Sequence, residues 1–456
     1  MARSRSIRLH ERLATLLPAR TLWRLARETG FVVRSRKIKP PAFLWTLVFG
    51  YSFGEARTLA GLRRAYQTST GTTLVPSAFY DRFDESLVRF MKAVVDLSLE
   101  RTSEADRALV GVLGSFKEVL ATDSSVVRLH ALLAGDFPGC RTNHTKAALK
   151  LHAVMNVNGR GAKSFKITSE RVNDGKALTA GKWLRDRLIL FDLGYYRYQL
   201  FDCIRRNGGF FLSRLKSNAN PTIVAVHRAW RGASVPLVGE KLQDVIARLQ
   251  REEIDVEIEV EFKRRKYAGK RSCARERFRL VGLRNGETKE YHLYVTNLPA
   301  DRLTAQAVAA VYRARWTVEQ LFKSLKSDFA LEDMPSANKN VALALVYAAV
   351  VTWITSRELR LAVRARLGAK ARRVTEGRWT RLMRAWASHL LLLATSPPRH
   401  TREVARRIEA AWIAEAVDPH VKRRSLLEEV EAGIPFGRRA AQTRRGLAGK
   451  SRTANR

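Results

Sequence analysis

Cysteine is scarce in this sequence of 456 residues, and the few present form no recognisable pattern. Cys140, Cys203 and Cys273 are an odd number at wide separations, with no Cys-x-x-Cys pair and no Cys/His cluster. A disulfide framework is therefore excluded as the basis of the fold, and a structural zinc site is not indicated.

Long apolar runs are lacking as well. The longest, VALALVYAAVVTWI at 341–354, is shorter than the roughly 20 residues that a membrane-spanning helix needs. Residues 1–20 are charged and contain no apolar segment of the kind found in signal peptides. We therefore expect a soluble, cytoplasmic protein without membrane association, in which 341–354 forms a buried core helix.

Acidic residues are few, since 43 Asp and Glu stand against 83 Lys and Arg and give a formal net charge of +40. The chain is nevertheless 46% hydrophobic, which excludes a disordered polycation. A folded protein of such charge is expected to bind a polyanion, and nucleic acid is the polyanion we expect. The length favours roughly two to four domains of about 150 residues each.

Residues 1–105 are predicted to form a helical domain. Apolar residues recur at helical spacing, Pro40-Pro41 closes a basic link, and three short apolar helical segments follow between 43 and 83. Arginines on the later segments suit a helix-turn-helix-like DNA-binding domain. The alternative is a small helical bundle with a solvated basic surface.

Residues 115–216 have an α/β pattern. Short apolar or alternating runs predict strands at 119–122, 149–157, 164–167, 188–191 and 210–215. Helical patterns at 176–187 and 196–206 separate the later strands.

Residues 217–300 are predicted to form a mostly-β insertion. Apolar residues from Ile254 to Phe262 alternate strictly with charged ones, as in a half-buried strand. Asn285-Gly286 lies between two further strand-like runs and predicts a hairpin.

The sequence after Pro299 is helical in pattern to about residue 416. We divide this part into 301–355 and a C-terminal helical region, 356–437. The remaining 438–456 is rich in Arg and Lys and is expected to be a disordered basic tail.

The segment YRARWTVEQLFKSLK is the most informative part of the sequence for chemistry. On a helix, Tyr312, Arg315, Glu319 and Lys326 share one edge. An adjoining apolar stripe would hold that helix on a core, and it consists of Val311, Val318, Phe322, Leu325 and Phe329. The alternative for the polar edge is a surface ladder of ordinary i,i+4 ion pairs.

Two aspartates add to this helical glutamate. Asp123 and Asp192 each follow a predicted buried strand, where sites of α/β folds tend to lie. Each Asp has the alternative of capping a following helix. Together with Glu319 they fit a cluster that binds two divalent metal ions, and carboxylate oxygens suit Mg²⁺.

Four residues of the helix, Tyr312, Arg315, Glu319 and Lys326, match at every position the Y-x2-R-x3-E-x6-K signature of bacterial DDE transposases of the insertion-sequence-four branch, which this sequence resembles. TDSS and FDLGYY resemble the motifs around the two aspartates of that family. Further similar segments are KLH at 150–152, FLSRLK at 211–216 and YVTNLP at 294–299. The resemblance covers 115–355 well and 1–100 only in general character.

The resemblance implies an α/β RNase H-like catalytic core interrupted by the mostly-β insertion, with an N-terminal helical DNA-binding domain and a C-terminal helical region. It also implies that Asp123, Asp192 and Glu319 are catalytic and hold two Mg²⁺ ions, for which Mn²⁺ can substitute. Water and then the freed 3′-OH would attack DNA phosphates. Tyr312, Arg315 and Lys326 would contact phosphates near the scissile position.

The implied partner is double-stranded DNA, as terminal inverted repeats and as target. The implied function is that of a nucleoid-associated enzyme that excises its insertion sequence, in this branch through a hairpin, and integrates it elsewhere. A dimer on DNA is expected because two ends must be held together.

One feature of the family is missing from this sequence. A Trp that stacks on a flipped base often precedes the strand ending in T-N-L-P, and here Tyr291-His292 stands in its place. Tyr291 is therefore a candidate DNA-binding residue that stacks on a base, and the alternative is an ordinary strand aromatic. We interpret Trp316 as a packing residue, Asn173-Asp174 as turn chemistry or a support for the site, and His152 as a surface or strand residue.

Two other functions stay open. The first is a catalytically inactive DNA-binding derivative, against which the intact acids and signature argue. The second is an RNase H-like nuclease that cleaves without joining strands, which the sequence does not exclude.

Overall fold

The computed structural model describes residues 7–34, 37–53, 57–102, 109–140, 146–157, 161–227, 236–264, 272–332, 334 and 336–421. The predicted basic tail, 438–456, lies outside the described residues, and so does the end of the predicted C-terminal helical region.

The N-terminal part is helical, as the sequence predicted. Its elements are α1 (Leu9–Leu16), α2 (Ala19–Glu28), α3 (Pro40–Trp45) with a π-helical continuation (Thr46–Tyr51), α4 (Leu59–Thr70), α5 (Pro76–Tyr80) and α6 (Glu85–Thr102). Pro40 and Pro76 stand in the first turns of α3 and α5, where a missing N–H leaves no helical bond unmade. Thr58 caps α4 by accepting a hydrogen bond from the Gly61 amide at 3.0 Å.

The described residues then form one mixed sheet of nine strands. These are β1 (Glu118–Leu129), β2 (Ala147–Asn156), β3 (Ala162–Ser169), β4 (Arg187–Phe191), β5 (Phe210–Arg214), β6 (Thr222–Val226), β7 (Glu253–Lys263), β8 (Cys273–Arg284) and β9 (Tyr291–Thr296). Their order is β3-β2-β1-β4-β5-β9-β8-β7-β6, with β1, β4 and β5 parallel and the remaining pairs antiparallel. The first five strands are consistent with the expected RNase H-like core.

The helical connections within this sheet differ in one place from the prediction. The segment 176–187 is not one helix, because only α7 (Asp174–Ala177) and a 3-10 turn (Lys182–Leu184) form there. Leu178, directly after α7, and Gly181, directly before the turn, both have extended backbones, which interrupts the helical pattern. The second predicted helix is present as α8 (Tyr198–Arg206).

The predicted β insertion continues the same sheet. β9 pairs antiparallel with β5, with Leu212 opposite Thr296, and β8, β7 and β6 follow outward. The predicted hairpin joins β8 to β9 with Arg284 opposite Tyr291. The insertion also contains a short helix that the sequence did not predict, α9 (Leu242–Arg248).

The part after the sheet is helical to residue 415, as predicted. Its elements are α10 (Ala305–Tyr312), a 3-10 turn (Arg313–Arg315), α11 (Trp316–Ser327), α12 (Lys339–Leu367) with a 3-10 end, α13 (Glu376–Ala385), α14 (Ala387–Thr395) and α15 (Pro398–Glu415). Helix α12 with its end, Lys339–Arg373, is long and apolar enough to cross a membrane by length and composition, but 78% of its apolar window is buried inside the protein. It contains the buried helix expected at 341–354.

Two hydrophobic cores lie on opposite faces of the sheet. The first joins the N-terminal helices, helices α10 to α15 and one sheet face, to which Val119, Ala121 and Leu190 point. The second fills the other face with Phe191 and side chains of α8, α9 and the insertion. The N-terminal helices share the first core with α12, since the hydroxyls of Ser52 and Thr352 lie 3.1 Å apart. The helices that precede the sheet in the sequence therefore pack against the helices that follow it.

Candidate active site

Asp123 lies inside a strand and not at its end, so that prediction is wrong. β1 continues to Leu129 because it stays paired with β2 over that whole length. Its parallel pairing with β4, however, ends at Thr122 opposite Phe191. Asp123 is thus the first residue beyond the parallel pairing, on the face that Val119 and Ala121 direct toward the first core. Since it is in a strand, Asp123 caps no helix.

Asp192 directly follows β4, as predicted. Continuing the β1–β4 register by one residue brings Asp192 beside Asp123. Asp192 precedes the 3-10 turn Leu193–Tyr195, yet within the described residues its side chain makes no capping hydrogen bond. The alternative of a simple helix cap therefore finds no support for either aspartate.

Glu319 is in the first turn of α11. The signature segment is not one regular helix, because the 3-10 turn Arg313–Arg315 separates α10 from α11. The predicted apolar stripe is buried throughout, and it consists of Val311, Val318, Phe322, Leu325 and Phe329. That stripe packs α11 on the sheet face to which Asp123 points.

Arg315 connects the acids. Its Nη1 lies 3.4 Å from Oδ2 of Asp123, and its Nη2 donates a hydrogen bond to Oε1 of Glu319. The i,i+4 pair of Arg315 and Glu319 is therefore real, but it is not an isolated surface ladder, because the same guanidinium also reaches the sheet.

The pKa of Asp123 reflects its burial and the charges of the neighbouring acids. Burial is the main reason that the pKa of Asp123 rises to about 6, and the negative charges of Asp192 and Glu319 raise it further. The Ser124 amide, which donates to Oδ1 of Asp123 at 2.7 Å, and the charge of Arg315 lower it. Three carboxylates thus act on one another in one region, and the guanidinium of Arg315 supplies counter-charge there.

The donor set suits divalent metal ions in chemistry and charge. Hard carboxylate oxygens are the ligands that such ions prefer. A bound cation would favour the ionised form of Asp123, which burial and the charges of Asp192 and Glu319 disfavour. Within the described ranges no group of three or more His, Cys, Asp or Glu side chains is placed to hold one ion together. In this arrangement the three acids therefore do not form a site for a single ion.

Tyr312 is buried, and its hydroxyl is in use. The hydroxyl donates to the backbone carbonyl of Phe191 at 3.0 Å, immediately before Asp192. Burial raises the pKa of Tyr312 to about 12, so the hydroxyl keeps its proton near neutral pH. Its ring centroid lies 5.2 Å from that of Tyr294 on β9. The sequence did not predict this contact with the β4 end.

Lys326 and Tyr291 have partners other than the three acids. Lys326, two turns after Glu319 on α11, forms an ion pair with Glu332 at 3.1 Å. Tyr291 packs against the second core, on the sheet face opposite to Asp123, and its hydroxyl donates to the Arg251 carbonyl. The structure does not bring either side chain into contact with the three acids.

Trp316 is 51% exposed, so its interpretation as a packing residue is wrong. The buried side of α11 carries Val318, Leu321 and Leu325, and a residue two positions before Val318 points away from that side. His152 lies on β2 and is buried, which excludes the surface alternative. Burial lowers the pKa of His152 to about 4, so the imidazole is neutral at pH 7.

Asp174 makes close polar contacts with β1 and β2. Its carboxylate accepts a hydrogen bond from the Ser124 hydroxyl at 2.9 Å and forms an ion pair with Lys150 at 2.9 Å. Ser124 and Lys150 belong to the TDSS and KLH segments, so the sequence did contain a signal in those motifs.

Comparisons with known proteins show which family this chain resembles. Residues 114–354 match the family model described as "Transposase DDE domain". The chain is 24% identical over 355 residues to the transposase for insertion sequence element IS231F of Bacillus thuringiensis subsp. israelensis, covering 71% of this chain and 73% of that protein. It is 22% identical over 442 residues to the transposase for IS231C of Bacillus thuringiensis subsp. berliner, covering 87% and 88%. It is also 22% identical over 362 residues to the transposase for IS1151 of Clostridium perfringens, covering 73% and 76%.

Proposed function

This chain belongs to the DDE transposase family, and we propose that it binds the ends of its own insertion sequence and excises and integrates that element by metal-dependent phosphoryl transfer. The observation that carries the proposal is the convergence of the acids. The strand register brings Asp192 beside Asp123, and Arg315 joins Asp123 to Glu319. The relatives that match 71% or more of the chain are transposases of insertion sequence elements.

The catalytic roles that we propose follow from the chemistry of the donors. Asp123, Asp192 and Glu319 hold two Mg²⁺ ions, and Mn²⁺ substitutes for them. Bound divalent ions supply the positive charge that stabilises the attacking and leaving oxygens in phosphoryl transfer. Arg315 keeps Asp123 and Glu319 together by offsetting part of their mutual repulsion.

The chain's own Tyr312 positions one of these acids. By donating to the Phe191 carbonyl, it fixes the last residue of β4 and thereby the backbone position at which Asp192 begins. The proposed contact of Tyr312 with a DNA phosphate would require this bond to break, since a hydroxyl has one proton to donate. Arg315 and Lys326 need no such change to offer charge to phosphates.

The finer assignment is to the insertion-sequence-four branch, on the signature Tyr312, Arg315, Glu319 and Lys326. The partners are double-stranded DNA, as terminal inverted repeats and target, and a second copy of the chain, because two ends are cut together. The net charge of +40 supports DNA as the partner. Tyr291 remains our candidate for base stacking, and a hairpin intermediate remains the expected route of excision.

The proposed organisation keeps the predicted boundaries. These are 1–105 as a helical DNA-binding domain, 115–216 and 301–355 as the catalytic core, 217–300 as the β-rich insertion, 356–437 as the C-terminal helical region and 438–456 as the basic tail. The strand order supports the core assignment. The shared first core means that the two helical regions would move as one body on DNA.

A cleavage and joining assay tests the proposal. A plasmid that carries the gene with its flanking DNA is incubated with the purified full chain, Mg²⁺ or Mn²⁺, and a second plasmid as target. Wild type is compared with Glu319→Gln and with the control Glu403→Gln, whose carboxylate also pairs with an arginine four residues away. We expect a discrete excised fragment and joined product from wild type and the control, and neither from Glu319→Gln.

The other outcomes separate the alternative functions. Binding of the end DNA without cutting by wild type, in either metal, would establish the inactive DNA-binding derivative. Cutting without a joined product would establish the nuclease.

A further inference from the structure

Asp174 is the first residue of α7, and its side chain is only 21% exposed. Its Oδ1 accepts a hydrogen bond from Ser124 Oγ at 2.9 Å and lies 2.9 Å from Lys150 Nζ. The neutral ring of His152 is 3.8 Å away through Nδ1. This carboxylate is therefore held through Oδ1 from the side of β1 and β2.

One side of this arrangement leads to Asp123. Ser124 donates its hydroxyl to Asp174 and its backbone N–H to Oδ1 of Asp123, the latter at 2.7 Å. Two consecutive hydrogen bonds thus connect Asp174 to the carboxylate of Asp123. Loss of the Asp174 contact would release the side chain of the residue whose backbone N–H orients Asp123.

The other side leads to Asp192. Gly194, two residues after Asp192, lies so close to Asp174 that a Cβ added there would be 2.7 Å from Oδ2. Real Cβ atoms do not approach other atoms so closely, so a side chain at this position would displace Asp174 or the turn after β4. The 3-10 turn that begins at Leu193 is therefore packed directly on the Asp174 carboxylate.

We propose that Asp174 is a positioning residue that fixes the separation of Asp123 and Asp192, acting through Ser124 on one side and through Gly194 on the other. The proposal rests on the proposed function of those two aspartates as metal ligands. Groups that orient metal ligands without touching the ion commonly change metal affinity or activity by about 10- to 100-fold when removed.

The test measures metal binding by the full chain without DNA, and then the metal requirement of cleavage. Binding of Mn²⁺ is followed by the loss of its free EPR signal, for wild type and for Asp174→Ala. We expect the dissociation constant for Mn²⁺ and the Mg²⁺ concentration for half-maximal cleavage both to rise by about 10- to 100-fold, with affinity for the end DNA unchanged.

A matched control is provided by Glu118, the first residue of β1. Its carboxylate is also buried, pairs with Lys163 at 2.9 Å and accepts a hydrogen bond from Asn156 at 2.7 Å. Glu118→Ala therefore removes a comparable buried, lysine-paired carboxylate from the same strand region. We expect it to lower stability without changing the Mn²⁺ dissociation constant.

Two further variants keep the proposal testable if Asp174→Ala does not fold. Ser124→Ala removes only the hydroxyl that contacts Asp174. We expect it to weaken Mn²⁺ binding several-fold, so that the logarithm of the dissociation constant changes by about half as much as in Asp174→Ala. Gly194→Ala should weaken binding in the wild-type background. It should add little in an Asp174→Ala background, where the close carboxylate is gone.

The outcomes distinguish this proposal from the one on which it rests. Wild-type binding of Mn²⁺ with unchanged constants for Asp174→Ala and Ser124→Ala would overturn the role of Asp174 alone. If wild type binds no Mn²⁺ and cleaves no better than Glu319→Gln, the metal assignment of the acids fails, and the role of Asp174 fails with it.

Discussion

Arg315 Nη1 lies 3.4 Å from Oδ2 of Asp123, although the two residues are 192 positions apart in the sequence. The same guanidinium donates to Glu319, four residues later in the first turn of α11. The contact therefore ties the start of α11 to β1, where the negative charges of Asp192 and Glu319 act on Asp123. It lowers the pKa of Asp123 against the stronger effects of burial and of Asp192, which raise it.

Removing the guanidinium should shift the pH dependence of cleavage. Asp123 must be ionised to act as a ligand, and its pKa of about 6 predicts an acid limb near that pH at low metal concentration. Arg315→Ala removes a charge that lowers this pKa, so the limb should move to higher pH and the rate at pH 7 should fall. The measurement is the pH–rate profile at one low Mn²⁺ concentration.

Two comparisons make that result specific. Arg315→Lys retains the charge and should shift the limb less than Arg315→Ala does. Arg24→Ala removes an exposed arginine from an i,i+4 pair with Glu28 and should leave the profile unchanged. An acid limb that stays in place for Arg315→Ala would refute the electrostatic role of the guanidinium.

The raised pKa of Asp123 also predicts a stability cost in the metal-free protein. The rise from 3.8 to about 6 means that the folded protein binds a proton more tightly than the unfolded chain. Stability is therefore favoured below pH 3.8 and is lost as pH rises through about 6. At about 1.36 kcal/mol per pKa unit the cost at pH 8 is about 3 kcal/mol.

Asp123→Asn should remove this cost. In EDTA, we expect the free energy of unfolding in urea to rise by up to about 3 kcal/mol at pH 8, and the difference from wild type to vanish near pH 4. Asp96→Asn, on an exposed carboxylate paired with Lys92, should change stability by less than about 0.5 kcal/mol. A destabilised Asp123→Asn protein at pH 8 would contradict the assignment.

The sequence predicted those parts of the fold and of the site that depend on local pattern. The strict alternation from Ile254 to Phe262 identified β7, and the apolar run before Asp192 identified the end of β4. The length of β1 was not predictable, because polar residues from Asp123 to Ser125 are held in the strand by pairing with β2, which is a tertiary effect. For Asp174 the sequence left turn chemistry and support for the site both open, because its contacts come from distant segments.

Tyr312→Phe should separate stability from positioning. Loss of the hydrogen bond to the Phe191 carbonyl leaves a buried acceptor unpaired, at a cost of about 1–2 kcal/mol. We also expect cleavage to fall by about 10- to 100-fold, because displacement of Asp192 misplaces a ligand. Tyr66→Phe is the matched control, since its buried hydroxyl donates to the Lys37 carbonyl at 2.9 Å in the N-terminal helices.

The Tyr66 hydroxyl also accepts from the Lys39 amide at 3.0 Å, so Tyr66→Phe should lose at least as much stability in urea as Tyr312→Phe. Only Tyr312→Phe should lose cleavage at a temperature where both are folded. Equal cleavage by the two proteins would show that the contact with Phe191 serves stability alone.

Lys326 offers a test of phosphate contact in which the control lies in the same ion pair. Lys326→Ala should weaken binding of the end DNA and reduce the slope of log affinity against log salt by about 1, as loss of one phosphate contact does. Glu332→Gln breaks the same 3.1 Å ion pair but leaves the lysine charge in place. Glu332→Gln should keep the wild-type salt slope and bind DNA at least as tightly as wild type does, because the Glu332 carboxylate no longer competes with a phosphate for Lys326. If both variants weaken binding equally, the ion pair matters for the structure of the α11 end and Lys326 does not contact DNA.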